Sequence, residues 1–454
     1  MRRTAALALG LLLLAASAGA SPVQANGIGH FDDVYVARRG TAFGPAGSSC
    51  ARPHFVADGV DDQQELLFAL QDTNPGGVVH VCPGTYHLSE PIELTMTHDV
   101  TLDGAGMNRT ILDGGARYRR GVRLSSTSDI LWQDGSGTLT ISNLTAQNAG
   151  GGYGAFYLSE LVNFDHVRLY RNESVYEGGA IWGCDLVITH SEFIDNQGGG
   201  GGAISGCDVD ISDSLFEVNI GWGTGGAILG YTVTVANSTF IANQASYSGG
   251  AIQADSVVVE DSRFTGNVSR GMDACAGGGG AIYAWDEISI RDSSFDRNRA
   301  DAESCDGMDP DWATNSAGLG GSVFLAQMDP GPSSVTVLDT TFTRNSAAFA
   351  GGALASLGEL NFARLTFTAN TSGGWGGALF YNGYDCDNSL TETALVGPLV
   401  FHRNVAEDGG GAIYVVNASA AESAAFAISS VYRSNRDRTA PYSPNYYDDD
   451  GCPP

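Results

Sequence analysis

The sequence predicts an all-β chain: a right-handed parallel β-helix, a solenoid with three short strands per coil, closed at its N-terminus by a short capping helix. Three observations carry this reading. A Gly-Gly-Ala-(Ile/Leu) phrase begins at Gly178, Gly201, Gly225 and Gly249, at steps of 23, 24 and 24 residues. It returns at Gly279, Gly351, Gly376 and Gly410, with a Gly-Gly-Ser-Val variant at Gly320. A second phrase, Phe-x-x-Asn, alternates with it and ends at Asn196, Asn219, Asn243, Asn267, Asn298, Asn345, Asn370 and Asn404. A fixed period of this length means stacked units. Within one unit, such as 180–196, short β-rich runs alternate with Gly, Asp, His and Ser, and no helical spacing sustains itself.

The chain opens with Arg2-Arg3, an apolar run over residues 5–16, and small-residue cleavage signals at Ala18-Gly19-Ala20 and Val23-Gln24-Ala25. This is the pattern of a secretory leader, assigned to residues 1–25. No later stretch approaches the ~20 apolar residues of a spanning helix, so no transmembrane segment is expected after leader removal. Residues 26–90 read as a cap. Within them, 61–70 is amphipathic, with acids in its first turn and an Asp62/Glu65 pair spaced as a capping box. A strand and turn follow through Val78-Val79-His80-Val81-Cys82-Pro83-Gly84-Thr85-Tyr86. A solenoid needs such a cap, because its open end exposes core and unpaired strands.

Residues 91–438 are assigned to the β-helix and 439–454 to an acidic C-terminal tail. Stacked at a sheet spacing of ~4.8 Å, Ile181, Ile204, Ile228, Ile252 and Ile282 predict one inward column. Phe193, Phe216, Phe240, Phe264 and Phe295 predict an aromatic one. The Gly-Gly pair supplies the sharp turn. Asn196, Asn219, Asn243, Asn267 and Asn298 are expected in left-handed turns, with their amides bonded coil to coil as a ladder. A further polar column, His190, Asp213, Asn237, Asp261, Asp292 and Asp339, reads as turns bonding their own backbone. Its alternative is a calcium-binding carboxylate ladder, which His190 and Asn237 interrupt.

Eight Cys in an exported chain predict disulfides. Cys184 and Cys207 occupy the same place in neighbouring units and are expected to pair, as are Cys275 and Cys305 in consecutive long loops. That leaves Cys50, Cys82, Cys386 and Cys452, whose pairing the spacing does not fix; Cys50 with Cys82 and Cys386 with Cys452 is one choice.

All 23 basic residues are Arg, against 51 acids, for a net charge of −28. The absence of Lys excludes lysine catalysis and a phosphate-binding P-loop, and the acidity argues against nucleic-acid partners. No zinc phrase or nucleophile elbow is present. Arg291, Arg297, Arg299, Arg344 and Arg364 lie in the repeats without a phrase that marks a catalytic base, and no catalytic residue is assigned. The strongest candidate site is the insertion after Asn298, with Asp301, Glu303, Asp306, Asp309, Asp311 and Trp312. Beside Asp273 and Cys275 it would form an acidic patch with one aromatic, suited to calcium or a sugar ring. Trp182, Trp222 and Trp375, near the Gly-Gly corners, read as corner packing or as a sugar-binding strip.

The paired phrases resemble the repeats of the chlamydial polymorphic outer-membrane protein family, over about residues 150–435. The resemblance implies a surface-exposed, adhesin-like solenoid. Members of that family end in a membrane β-barrel, for which the residues after the last repeat here leave no room. The helix and the Pro83-Gly84-Thr85-Tyr86 phrase resemble the opening of pectate-lyase-like β-helix proteins, which implies architecture. Together these predict an exported, non-catalytic monomer, extracellular or associated with the outer membrane, adhesin-like or envelope-structural. Its expected partner is an extracellular polysaccharide or a surface protein. The alternative is a secreted polysaccharide lyase acting on acidic polysaccharide.

Overall fold

The computed structural model describes residues 31–39, 49–115, 118–119, 122–123, 129–272, 277–301, 318–326, 333–382, 394–416, 430–438 and 446–449. The chain is a parallel β-helix. Among the described residues every paired strand is parallel to its neighbour except in the short hairpin of Tyr118–Arg119 with Val122–Arg123.

One coil shows the logic. The strand Ile181–Thr189 bends at its middle and serves two faces of the coil; Glu192–Ile194 makes the third. In a later coil the same span divides into Ile228–Leu229 and Thr232–Ala236. A fourth, two-residue strand, Gln197–Gly198, follows the Asn, and its equivalents form a separate nine-stranded sheet down to Arg436–Asp437. This fourth strand is too short to leave a period in the sequence.

Parallel pairing without slip places like above like. Ile181, Ile204, Ile228, Ile252, Ile282, Val323, Leu354, Leu379 and Ile413 are mutually in register and fully buried. The phenylalanine column runs from Phe193 to Phe401, with ring centroids 4.5–5.1 Å apart and planes within 13° of parallel. Sheet spacing alone brings the rings to van der Waals contact in an offset stack. Long insertions leave this register intact: Phe295 still pairs with Phe342.

Beside the rings lies a buried amide ladder. Asn219 Oδ1 accepts the backbone N–H and one Nδ2 hydrogen of Asn196, at 3.1 and 3.0 Å. Its own Nδ2 donates to Phe193 O and to Asn243 Oδ1, both at 2.9 Å. All four hydrogen-bonding capacities of the amide are used. The ladder reaches from Asn172 to Asn435, where Leu169 and Tyr432 replace the Phe of the phrase. The left-handed residue, however, is the one before the Asn: Asp195, Val218, Ala242, Arg297 and Arg344 all have φ of 52–57°. The Asn is thereby freed to turn its amide inward.

The polar column His190, Asp213, Asn237, Asp261, Asp292 and Asp339 is also left-handed, with φ of 46–51°, but these are corner residues rather than self-bonded turns. The buried Ser after each of the first five, and Thr340 after Asp339, bond the backbone. Ser214 Oγ donates to Ser212 O at 2.7 Å and accepts the N–H of Ser191 at 3.1 Å. The acids of the column do not form a continuous ladder, since Arg291 reaches Asp292 and Arg364 holds Asp339. From Gly225 onward the two glycines of each phrase do different work. Gly225 has φ +64°, whereas a Cβ on Gly226 would lie 2.0 Å from Gly250 O in the next coil.

The helix Gln63–Gln71 covers the first coil through Leu66, Ala69 and Leu70. Asp62 does not form the expected capping box. Its buried carboxylate instead accepts the N–H groups of Gly59 (2.6 Å) and His87 (2.9 Å), tying the helix entrance to the first turn of the solenoid. Thr73–Val81 pairs with Val100–Gly104, and Tyr446–Asp449 with Ile413–Val416, so pairing continues on both sides of 91–438. Cys184 bonds Cys207 across neighbouring coils, with Cα atoms 4.3 Å apart, and Cys50 bonds Cys82 at 5.6 Å. Cys275, Cys305, Cys386 and Cys452 lie outside the described residues. No helix among the described residues is long and apolar enough to cross a membrane.

Asn243→Leu leaves the Asn219 N–H, one Asn219 amide hydrogen and Phe216 O without their partner. At about 1–3 kcal/mol for each buried orphan, a loss of about 3–9 kcal/mol is expected in a urea melt; a loss below 1 kcal/mol would show that the ladder is ornamental. Val218→Gly relieves a β-branched residue from the left-handed region, worth about 1–2 kcal/mol, against about 0.5–1 kcal/mol of added chain entropy. The variant is expected to melt slightly higher, and a lower melting temperature would contradict the strain.

Candidate functional site

The outward residue of the first face is the middle one of each triplet, because side chains alternate along a strand. Down the column these are Trp132, Tyr157, Trp182, Ser205, Leu229, Gln253, Tyr283, Phe324, Ala355, Phe380 and Tyr414. Both ends of the column are aromatic, but they meet different surroundings.

At the C-terminal end the Gly-Gly corners fold over the column. Leu319, Ala350 and Trp375 bridge one another from coil to coil. With Tyr283, Phe324, Phe380 and Tyr414 they form a second, buried apolar cluster outside the coil. Trp375 meets Phe349 edge-on at 4.7 Å, so corner packing describes it.

Among the described residues the N-terminal end has no such cover. Tyr157 and Trp182 stack at 4.6 Å with planes 6° apart. Tyr153 meets Tyr157 edge-on at 4.8 Å, and Trp132 lies 6.3 Å from Tyr157. Tyr176 stands beyond Tyr153 and is 65% exposed; Tyr153 and Trp132 are exposed at 38% and 37%. Trp132 Nε1 donates to the buried Asp129 at 2.7 Å, which fixes that indole. Glu177 accepts the Ser205 hydroxyl at 3.0 Å beside Trp182, and exposed Glu93 precedes Trp132 in the column. The result is an open aromatic floor with fixed rings and carboxylate acceptors at its margin. Such a floor can stack apolar C–H faces while its polar groups take hydroxyls. Trp222, also exposed at 41%, precedes the Gly225 corner.

A second feature lies at the corner between the second and third faces. Asp165 Oδ1 accepts the Thr189 hydroxyl at 2.7 Å and faces Nδ1 of His166 at 3.0 Å and Nδ1 of His190 at 3.1 Å. The two imidazoles stack at 4.6 Å. Desolvation pushes the Asp165 carboxyl up, but the hydrogen bonds from Thr189, His166 and His190 together leave it below its ordinary value. Among the described residues this is the group whose imidazole and carboxylate atoms could share one cation. In the sequence these histidines are 24 residues apart, and the period that superposes them was the available signal.

A groove of about 330 Å³ opens beside Met107, Asn108, Thr145, Gln147 and Tyr170. Arg168 at its wall is held by Glu192 at 2.6 Å and Asn108 at 2.8 Å. The repeat arginines are likewise engaged: Arg291 with Glu260, Arg297 and Arg344 with Asp296, Arg299 with Asp301, and Arg364 with Asp339. Asp301 is thus the described member of the predicted acidic site. Glu303, Asp306, Asp309, Asp311 and Trp312 lie outside the described residues.

Comparison with protein families matches the repeat described as the Chlamydia polymorphic membrane protein (Chlamydia_PMP) repeat, over residues 237–255 and 261–284. Comparison with curated proteins finds no match. Among solved structures, the catalytic unit of a thermostable GH87 α-1,3-glucanase from Streptomyces thermodiastaticus is similar at 14% identity. Its TM-score is 0.47, over 89% of this chain and 68% of that one. A PL6 family polysaccharide lyase from Pseudopedobacter saltans is similar at 11% identity, with TM-score 0.38, over 85% and 95% of the two chains. Likeness at this level reaches no further than the fold.

Proposed function

We propose that the chain is an exported, non-catalytic surface solenoid that binds a neutral polysaccharide on the aromatic floor of Trp132, Tyr157 and Trp182, with Tyr153 and Tyr176 at its side. The single observation that supports this is the contrast within one column. Aromatic residues on the outside of the coil are roofed by corner residues at one end and left open at the other. An exposed apolar patch that the fold has the means to cover, and does not, marks a binding surface. Glu93 and Glu177 at its margin, and a net charge of −28, disfavour uronate polymers and nucleic acids through like-charge repulsion. The engaged state of Arg168 and of the repeat arginines supports the non-catalytic part of the reading, because an arginine paired with a carboxylate is a poor base. Export and a place at the cell surface are supported by the leader-like N-terminus and the matched repeat.

Affinity electrophoresis of the chain through gels holding neutral glucans, mannans or uronate polymers tests the reading, with products assayed in parallel. Retardation is expected in at least one neutral glycan. Trp182→Ser is a native-like change, since Ser205 stands at the same register one rung on. It is expected to weaken binding about 5–10-fold, the worth of one aromatic stacking contact of about 1–1.5 kcal/mol, with the fold retained and a small fall in melting temperature from the lost stack on Tyr157. Equal retardation of variant and parent would remove the floor from the binding site. New reducing ends or unsaturated uronate would replace the non-catalytic reading with an enzymatic one.

A further inference from the structure

We propose that Asp165, His166 and His190 form a binding site for one divalent transition-metal ion of the Zn²⁺, Ni²⁺ or Cu²⁺ class, bridging two adjacent coils. The site is built by the period of the solenoid. Asp165 is in register with Thr189, so the residue after each, His166 and His190, occupies the same corner one rung apart. Both have left-handed backbones, with φ of 54° and 48°, and this shared conformation directs the two rings the same way. They stack with planes 15° apart.

The separations fit a coordination sphere. Donors held at about 2.0–2.2 Å from one metal lie about 2.9–3.5 Å from each other when adjacent. The Asp165 Oδ1 to Nδ1 distances are 3.0 and 3.1 Å. One ligand atom from each of the three residues lies within 4.8 Å of the other two, so the near-parallel rings need only tilt toward a shared ion. Loading the ion on the two Nδ1 atoms requires the ring protons to sit on Nε2. In the neutral imidazoles this is a change of tautomer and needs no net proton release.

The donor set selects the ion. Two imidazole nitrogens with one carboxylate oxygen suit borderline cations, whereas calcium and magnesium take oxygen ligands. The group is about half exposed, with side-chain exposures of 45–52%, which leaves the remaining positions to water. Asp213 holds the next corner of the column and adds to the negative field that draws a cation in. A bound ion would cross-link the coils of Asp165 and His190 and stabilise the folded chain by mass action.

The corner column supplies its own control. Asn143 and Asn237 occupy equivalent left-handed corners, so His166→Asn with His190→Asn preserves the backbone preference. Untagged, chelator-treated full chain is titrated with ZnCl₂ by calorimetry and followed by thermal melting. One equivalent of Zn²⁺ is expected to bind with a rise in melting temperature, and CaCl₂ at the same concentration is expected to give neither. The double Asn variant should bind at least tenfold more weakly and lose the rise, while its metal-free melting temperature stays that of the parent. Absence of stoichiometric uptake of Zn²⁺, Ni²⁺ and Cu²⁺ by the parent, or undiminished uptake by the variant, overturns the site. Should the variant not fold, the histidine ring signals of the parent decide. Two of the eight histidines should shift together with one equivalent of Zn²⁺, and a shift confined to other histidines overturns the proposal.

Discussion

Parallel pairing without slip between successive coils is the constraint on which the rest of this molecule depends. A rung spacing of about 4.8 Å is fixed by backbone hydrogen bonds. Every side chain is therefore held at contact distance from its counterpart one coil away. What a residue does is set less by its own type than by whether its neighbours in the column can share it. Phenylalanine stacks on phenylalanine at that distance, and isoleucine fills against isoleucine. Asparagine is the side chain whose amide can accept from one neighbour, donate to the other, and still meet a backbone carbonyl, so it can be wholly buried. The Ser column beneath the polar corner uses the same arithmetic with one hydroxyl.

The same constraint explains where the molecule tolerates change. Extra residues follow Ala300, Ala326 and Asn382, and the described rungs on either side remain paired as though those residues were absent. Lengthening a connection costs little, because the entropic penalty of closing a loop grows only slowly with its length. The acidic insertion is one of these additions. The corner residues that roof Phe324 and Phe380 show how such positions become a second layer, and the open aromatic floor at the other end shows the surface they would otherwise cover.

Much of the coil was legible in the chain. The phrase period gave the stacked fold. Ile, Phe and Asn at fixed places gave the three inward columns, and Cys184 and Cys207 at one place in two units pointed to their bond. The left-handed residue was misplaced by one, because Asn has the propensity for that conformation while here Asp195 and Val218 adopt it; the buried amide outweighs local preference. Asp62 was read as a helix cap from spacing alone, whereas its carboxylate is claimed by His87, which lies 25 residues on in the chain. Trp132 and Tyr157 went unremarked for a related reason: they precede the clear repeats, and their register with Trp182 depends on coils whose phrases have faded.

By itself the sequence determined the solenoid, its period and its core, since these follow from one-dimensional repetition read against a single sheet spacing. The tertiary structure decided what lies on the outside. Whether an outward tryptophan is roofed or open depends on how loops and corners of different coils settle beside each other. Those contacts join residues with no fixed offset between them, so no pattern in the chain records them.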